Sequence, residues 1–299
     1  MKPSQYIKNL FRQELNPFPV QNYTTSCLIY KKRFYGIFYV TGKDNIMYTV
    51  KVNIGDVFAN SYETAINLYL KRFASHIPNL LIVEDIYLGD TPLDYSVFTQ
   101  KDKLDSTFCK SADLEEIFQR QKHLKYVYTV SETCLYNLGY YLGSHGGRLD
   151  YSTFVAYTFE LFVALQTLHR LGVWHRDLKP ANVLVCQKDI SVAYVYEDMV
   201  WTTSYKNGYL KLIDFGESQV VDDVSAPCQA FQYEVNVGLV NIIKIMWNKT
   251  EGDKDIIMYE DLVLRMQNCQ TSVLDLMLNS PIFDRLKGGK GDIRVDLLN

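Results

Sequence analysis

The sequence lacks any long apolar run. Its most hydrophobic stretch, Val235–Trp247, is broken by Asn236, Asn241 and Lys244 and falls short of the ~20 residues a membrane-spanning helix needs. No transmembrane segment is expected. Lys2, Lys8, Arg12 and Glu14 interrupt residues 1–17, so the apolar core of a secretion signal is missing and an intracellular protein is expected. The six cysteines (Cys27, Cys109, Cys134, Cys186, Cys228 and Cys269) form no CxxC pair and no Cys/His spacing of a metal centre. A chain of this length needs no covalent staples, and the six are read as reduced thiols. There is no excess of positive charge either: 31 Lys and Arg against 34 Asp and Glu leave a net −3, which excludes a global field for nucleic acid or an anionic membrane. Any phosphate site has to be local. Internal repeats and low-complexity tracts are also absent. What is there is ordinary globular material, 47% hydrophobic and 22% charged, and 299 residues at about 150 per domain make two domains or one large bilobal fold.

The first third reads as strands. Tyr23–Tyr39 and Ile46–Asn53 are rich in Tyr, Phe, Val, Ile and Thr and flank the turn-like Thr41-Gly42-Lys43-Asp44-Asn45, which predicts an antiparallel pair. Ile66, Tyr69, Leu70 and Phe73 have helical spacing over Glu63–Phe73. Strands are expected at Leu80–Leu88 and Lys125–Val130, separated by a polar insertion at residues 89–123 with a short helix near Ala112–Arg120. From Tyr151 the period changes: Phe154, Leu161, Phe162, Leu165 and Leu168 form one stripe ending at Gly172. Val235–Trp247 predicts a central buried helix, Asp261–Met266 and Val273–Leu278 two more, and Lys287-Gly288-Gly289-Lys290-Gly291 a mobile tail. The expected division is a strand-rich lobe over 1–134, a helical lobe over 135–284 and a flexible 285–299.

The strongest signal is His175-Arg176-Asp177-Leu178-Lys179-Pro180-Ala181-Asn182, followed by Leu212-Ile213-Asp214-Phe215-Gly216. These strings resemble the HRDLKPxN catalytic loop and the DFG motif of eukaryotic-type protein kinases, in the same order and each beside an apolar strand. The resemblance covers roughly residues 25–285, since Leu276–Phe283 is similar to the family's closing helix and its terminus. It implies an α+β, bilobal protein-kinase-like fold, with an antiparallel N-lobe sheet, a mainly helical C-lobe and the nucleotide in the cleft between them. It also implies an ATP-dependent Ser/Thr kinase acting on protein substrates. Phosphoryl transfer passes through a loose transition state, so such a protein chiefly positions reactants and neutralises charge. Asp177 is implied to take or orient the hydroxyl proton, and Lys179 to neutralise the transferring phosphate. Asn182 and Asp214 are implied to supply oxygens to Mg2+, with Mn2+ as the alternative ion. Arg176 and His175 are read as architectural, Arg176 pairing an anion near the activation segment and His175 stacking beneath Phe215.

Tyr48-Thr49-Val50-Lys51 stands where the family has VAIK, which makes Lys51 the phosphate-holding lysine and Glu63 its helix partner. Gly36 and Phe38 fall at the last glycine and the adenine-capping valine of the glycine-rich loop. Leu184 falls at the adenine floor, and Glu132 and Cys134 at the backbone hinge. Three departures stand out. Lys31 and Arg33 replace the first two glycines. Asn67 is polar where an apolar residue is expected. Ala226-Pro227-Cys228 follows Gly216 after nine residues, a short activation segment without the family's glutamate; the acid expected early in the buried helix appears as Tyr233 or, one later, Glu234. Asp222 or Asp223 is the anion expected beside Arg176. Such pruning resembles the compact kinases of large DNA viruses. Two other readings use the same residues: a pseudokinase-like partner-binding module, motivated by the lost glycines, and a kinase-like small-molecule phosphotransferase, against which Leu178-Lys179-Pro180 argues.

Overall fold

The computed structural model describes residues 2–10, 15–32, 35–55, 61–89, 125–143, 147–188, 190–204, 208–222, 227–268 and 271–297. The expected insertion helix near 112–120, Arg33, Asp223 and Ala226 lie outside them. The chain divides into two units, residues 9–68 with 83–133, and residues 1–8 with 69–82 and 134–299. Both differ from a single cut at 134, because residues 3–8 of helix α1 (Pro3–Leu10) and residues 69–82, which include the end of the next helix, fall in the second unit.

The first unit is a five-stranded antiparallel sheet. It comprises β1 (Tyr23–Lys32), β2 (Tyr35–Gly42), β3 (Met47–Gly55), β4 (Val83–Gly89) and β5 (Lys125–Glu132), in the order β1-β2-β3-β5-β4. Helix α2 (Ser61–Phe73) connects β3 to β4. The expected strand run over Tyr23–Tyr39 is two strands rather than one, so the expected pair is a meander. The turn from β2 to β3 is as its residues predict: Asn45 takes φ 61°, which asparagine tolerates, and the Asp44 carboxylate accepts from the Ile46 amide (3.0 Å) and the Tyr48 hydroxyl (2.6 Å).

Strand register decides which residues share a face. Phe38 is opposite Val50 and Ile37 opposite Lys51, and successive residues alternate sides. Phe38, Val40, Val50, Val52, Tyr128 and Val130 therefore form one apolar core on one face, covered by Phe18, whose ring stacks on Tyr128 at 4.2 Å. Lys51 and Thr129 share the other face with Ile86 and Val127, on which Leu68 of α2 packs.

The second unit is built around α4 (Tyr151–Arg170), which follows β6 (Tyr136–Asn137), α3 (Leu138–Gly143) and β7 (Leu149–Asp150). Asp150 caps α4 by accepting from the Thr153 amide at 2.6 Å. Its buried Phe159 and Phe162 both meet the Phe283 ring edge-on. After α4 come β8 (Val173–Trp174), β9 (Val183–Cys186), the hairpin β10 (Ser191–Tyr196) and β11 (Met199–Ser204), β12 (Tyr209–Leu212) and β13 (Gln219–Val220). The buried helix starts earlier than its apolar run: α5 (Pro227–Glu234) passes through a π turn at Val235–Leu239 into α6 (Val240–Asn248). A short strand β14 (Thr250–Glu251), α7 (Ile256–Met266) and α8 (Val273–Asn279) follow, α8 opening on a Ser272/Asp275 capping box.

Two sequence readings are corrected here. The segment read as a mobile tail ends in β15 (Ile293–Asp296), which pairs in parallel with β10, Val192 opposite Ile293. Val295 and Leu297 alternate inward and are buried. The glycines before them serve close packing rather than mobility: a Cβ on Gly289 would run into Thr202, and one on Gly291 into the backbone of Ala193. The six cysteines are not all reduced thiols, because Cys134 and Cys186 are joined in a disulfide, whereas Cys27 is free and exposed. Pairing of β6 with β9 brings their Cα atoms to 4.7 Å across 52 residues of sequence, a proximity that no spacing rule reveals.

Candidate active site

The loop His175–Asn182 leaves β8, which pairs with β13, and runs into β9 of a separate three-stranded sheet, β12-β9-β6. It is pinned to the strand that follows the hairpin, since β12 pairs with β9 and the Ile213 amide donates to the Asn182 carbonyl at 3.0 Å. His175 is fully buried. Its Nε2 bonds the Ile213 carbonyl (2.8 Å) and its Nδ1 accepts from the Asp177 amide (3.3 Å), which fixes the neutral tautomer with the proton on Nε2. Burial lowers its pKa, the same preference for the neutral ring. Phe215 is in contact with that ring, as expected, but meets it edge-on at 5.5 Å rather than stacked.

Asp177 is the focus of the loop. Asn182 donates its Nδ2 to the Asp177 carbonyl (2.9 Å) and to Oδ2 (2.8 Å), and Lys179 forms an ion pair with the same oxygen. Burial by itself would raise the pKa of this carboxyl, but the bonds from Lys179 and Asn182 and the charge on Lys179 outweigh it and hold it below the usual range. The group is thus ionised at neutral pH and keeps an acceptor oxygen for an incoming hydroxyl.

Two of the four non-glycine residues with left-handed backbones among the described residues are here, Arg176 (φ 69°) and Asp214 (φ 68°). Such conformations cost about 1–3 kcal/mol and persist where surroundings enforce them. At Arg176 the enforcing group is Glu234, because the turn aims two successive amides at one carboxylate, His175 N at 2.6 Å and Arg176 N at 3.1 Å. Of the two positions the sequence offered for this acid, Glu234 fills the role, and Tyr233 instead lies under the Arg176 guanidinium at 5.6 Å. Arg176 also bonds the Tyr233 hydroxyl (3.4 Å) and Gln219 (3.3 Å). Asp222, expected beside it, instead accepts from Ser4.

Burial raises Glu234 to about 7, against pulls from the Arg176 and His175 amides and the Arg176 charge. Between its ordinary 4.5 and about 7 the folded chain therefore holds a proton that the unfolded chain has lost, so stability falls as pH rises through that window and levels off above it. Glu234→Gln keeps an acceptor oxygen but no titrating group. The difference in melting temperature, wild type minus variant, is expected to decline from pH 5 to pH 7.5; a flat difference would show that Glu234 does not titrate there.

In the first unit Lys51 and Glu63 form a partly buried ion pair at 2.7 Å. Lys51 also lies 5.3 Å from the Tyr35 ring. Gly36 and Phe38 do not join it. Both occupy the core face, Phe38 fully buried, and a Cβ on Gly36 would press on the Phe38 ring at 3.0 Å. The residue on Lys51's face is Ile37, which spacing counted from a single glycine missed and which alternation counted back from Lys51 finds. In the second unit Leu184 points away from the buried Val183 and Val185 and stays partly exposed. Glu132 ends β5 opposite Tyr48, and Cys134 follows it.

Among the described residues no group of three or more His, Cys, Asp or Glu could hold a metal by itself. Asn182 spends its Nδ2 on Asp177, leaving Oδ1 as its acceptor, and Asp214 is exposed beside the buried Phe215. Two hard oxygens of this kind fit a divalent cation that takes its remaining ligands from phosphate and water.

Residues 109–237 match the family model of the protein kinase domain. The chain is similar to protein kinase gsk31 of Schizosaccharomyces pombe, 43% identical over 65 residues, which are 22% of this chain and 12% of that one. It is 26% identical over 115 residues to the glycogen synthase kinase-3 homolog YGK3 of Saccharomyces cerevisiae, 38% of this chain and 25% of that one. It is 38% identical over 74 residues to the serine/threonine-protein kinase greatwall of Xenopus laevis, 25% of this chain and 6% of that one. The matched part thus spans no more than a quarter of these relatives' length. The α+β architecture, an antiparallel sheet followed by a helix-rich unit, is consistent with a protein kinase fold, and the likeness to the protein kinase domain is carried by residues 109–237.

Proposed function

We propose that this chain is a Ser/Thr protein kinase that transfers the γ-phosphate of ATP to protein hydroxyls. The observation that carries the reading is the Asp177 cluster, an ionised carboxylate held by Lys179 and Asn182. The substrate hydroxyl oxygen attacks the γ-phosphorus, the bond to the β–γ bridging oxygen breaks, ADP leaves, and the hydroxyl proton passes to Asp177. Lys179 neutralises charge on the transferring group. Lys51, oriented by Glu63, holds the nucleotide phosphates. Asn182 and Asp214 hold Mg2+, which when bound offsets phosphate charge. Leu184 floors the adenine, and the backbone of Glu132 and Cys134 meets its edge. Lys179 two residues after Asp177 favours Ser/Thr acceptors over tyrosine.

A second reading, a partner-binding module on the same fold, draws on Gly36: the one glycine kept from the expected phosphate loop serves packing against Phe38. The experiment is transfer of labelled γ-phosphate to generic protein substrates with Mg2+ or Mn2+, followed by phosphoamino acid analysis. Phosphoserine and phosphothreonine are expected. Absence of transfer with either metal would favour the binding module, and label reaching only small-molecule acceptors would favour a small-molecule phosphotransferase.

A further inference from the structure

Helix α1 touches two separate elements of the second unit. At its start, the Asp222 carboxylate accepts from the Ser4 amide (2.9 Å) and the Ser4 hydroxyl (2.7 Å), so a residue more than 200 positions away takes over the work of a helix cap. At its middle, the Tyr6 ring packs on Tyr69 (5.6 Å) and Phe73 (5.2 Å) in the last turns of α2, and the Arg72 guanidinium lies over Tyr6 at 5.8 Å. Ile7 beside it is buried.

Both ends of this contact are places that bear on the proposed reaction. Asp222 closes the segment after Gly216: β13 pairs with β8 immediately before His175, and the Val221 amide donates to the Gly172 carbonyl at 2.8 Å. Tyr69 and Phe73 belong to the helix whose first turn carries Glu63, and the Tyr69 hydroxyl donates to the Leu171 carbonyl at 3.0 Å. The Asp222 position is also electrostatically set, since the bonds from Ser4 and the nearby Lys2 and Lys8 hold its carboxyl below the usual range.

We propose that α1 is an internal clasp that fastens the segment around Asp222 and the last turn of α2 at once, with Ser4 and Tyr6 as positioning residues for phosphoryl transfer. The inference rests on the proposed kinase activity for its catalytic half and on geometry alone for its mechanical half. Hydrogen exchange of the full chain reads the mechanical half with or without transferase activity. Asp222→Ala is expected to speed exchange not only at 219–222 but also at 69–73, which Asp222 is not seen to contact, and Tyr6→Ala is expected to do the reverse, reaching 219–222. Exchange that rises only at the substituted end in both variants overturns the clasp. Steady-state kinetics read the catalytic half. Tyr6→Ala and Ser4→Ala are expected to lower kcat about ten- to a hundredfold, up to the roughly 10²-fold that a remote misplacement can cost, with the KM for ATP within about twofold, while Tyr6→Phe stays near wild type because it keeps the ring. Unchanged kcat in both, alongside coupled exchange, overturns the positioning role and leaves only a structural one.

Discussion

Asp177→Ala is expected to abolish most phosphoryl transfer and leave a folded protein. A positioned general base contributes roughly 10²–10⁴-fold, and the loss should fall in kcat at that scale. Substrate binding does not depend on the carboxylate in the same measure, so KM for ATP should move far less. The fold should survive because Asp177 is not a core group. Its side chain is partly exposed, and its removal frees Lys179 and the Asn182 amide, which keeps its bond to the Asp177 carbonyl. The cost of losing these surface-adjacent contacts is of the order of 1 kcal/mol. Rates and thermal melting measured on one preparation separate the outcomes. Near-wild-type kcat would show that another group takes the proton, and a collapsed melting temperature would show that Asp177 is structural.

Gly238→Ala is expected to do the opposite, damaging the fold first and the rate through it. Gly238 is in the π turn of the buried helix, and a Cβ there would sit inside the van der Waals envelope of the Leu178 carbonyl oxygen. A flexible side chain could move aside, but a backbone carbonyl between Asp177 and Lys179 cannot do so without carrying the whole loop with it. Overpacking a well-filled interior typically costs about 1–3 kcal/mol and occasionally more, and the backbone clash puts this case at or above the top of that range. Total stabilities run about 5–15 kcal/mol, so a large drop in melting temperature and in soluble yield follows. Where folded variant is recovered at low temperature, kcat should be reduced as well, because the loop that positions Asp177 has shifted. A variant with wild-type melting temperature and rate would mean that the helix and loop can separate without consequence.

The contrast between these two residues shows what the chain discloses on its own. Asp177, Lys179, Asn182 and Asp214 occur in short contiguous strings whose chemistry is local, so the sequence exposes them. Gly238 was visible only as a glycine in a helical run, where intrinsic propensity counts it as a penalty of about 1 kcal/mol; the reason for it is a carbonyl sixty residues earlier in the chain. Phe38 was misplaced for a related reason. Spacing within a degenerate motif gives position along a strand, but which face a residue takes depends on register with β3, and one step reverses it. Glu234 was legible to within one residue, the uncertainty left by not knowing that the helix begins at Pro227 and passes through a π turn. The disulfide and β15 were invisible, since each depends on pairing between segments far apart in sequence.

The parallel pairing of β15 with β10 has a bearing on biosynthesis. About one hundred residues separate Val192 from its partner Ile293, and at ~5–20 residues per second the ribosome delivers the second strand some 5–20 s after the first. During that interval β10 can pair with β11 on one side only, leaving the row of amides and carbonyls along its other edge open to any extended peptide nearby. The nascent chain therefore passes through a stage at which its β10–β11 hairpin is adhesive, and the arrival of Ile293–Asp296 is what ends it.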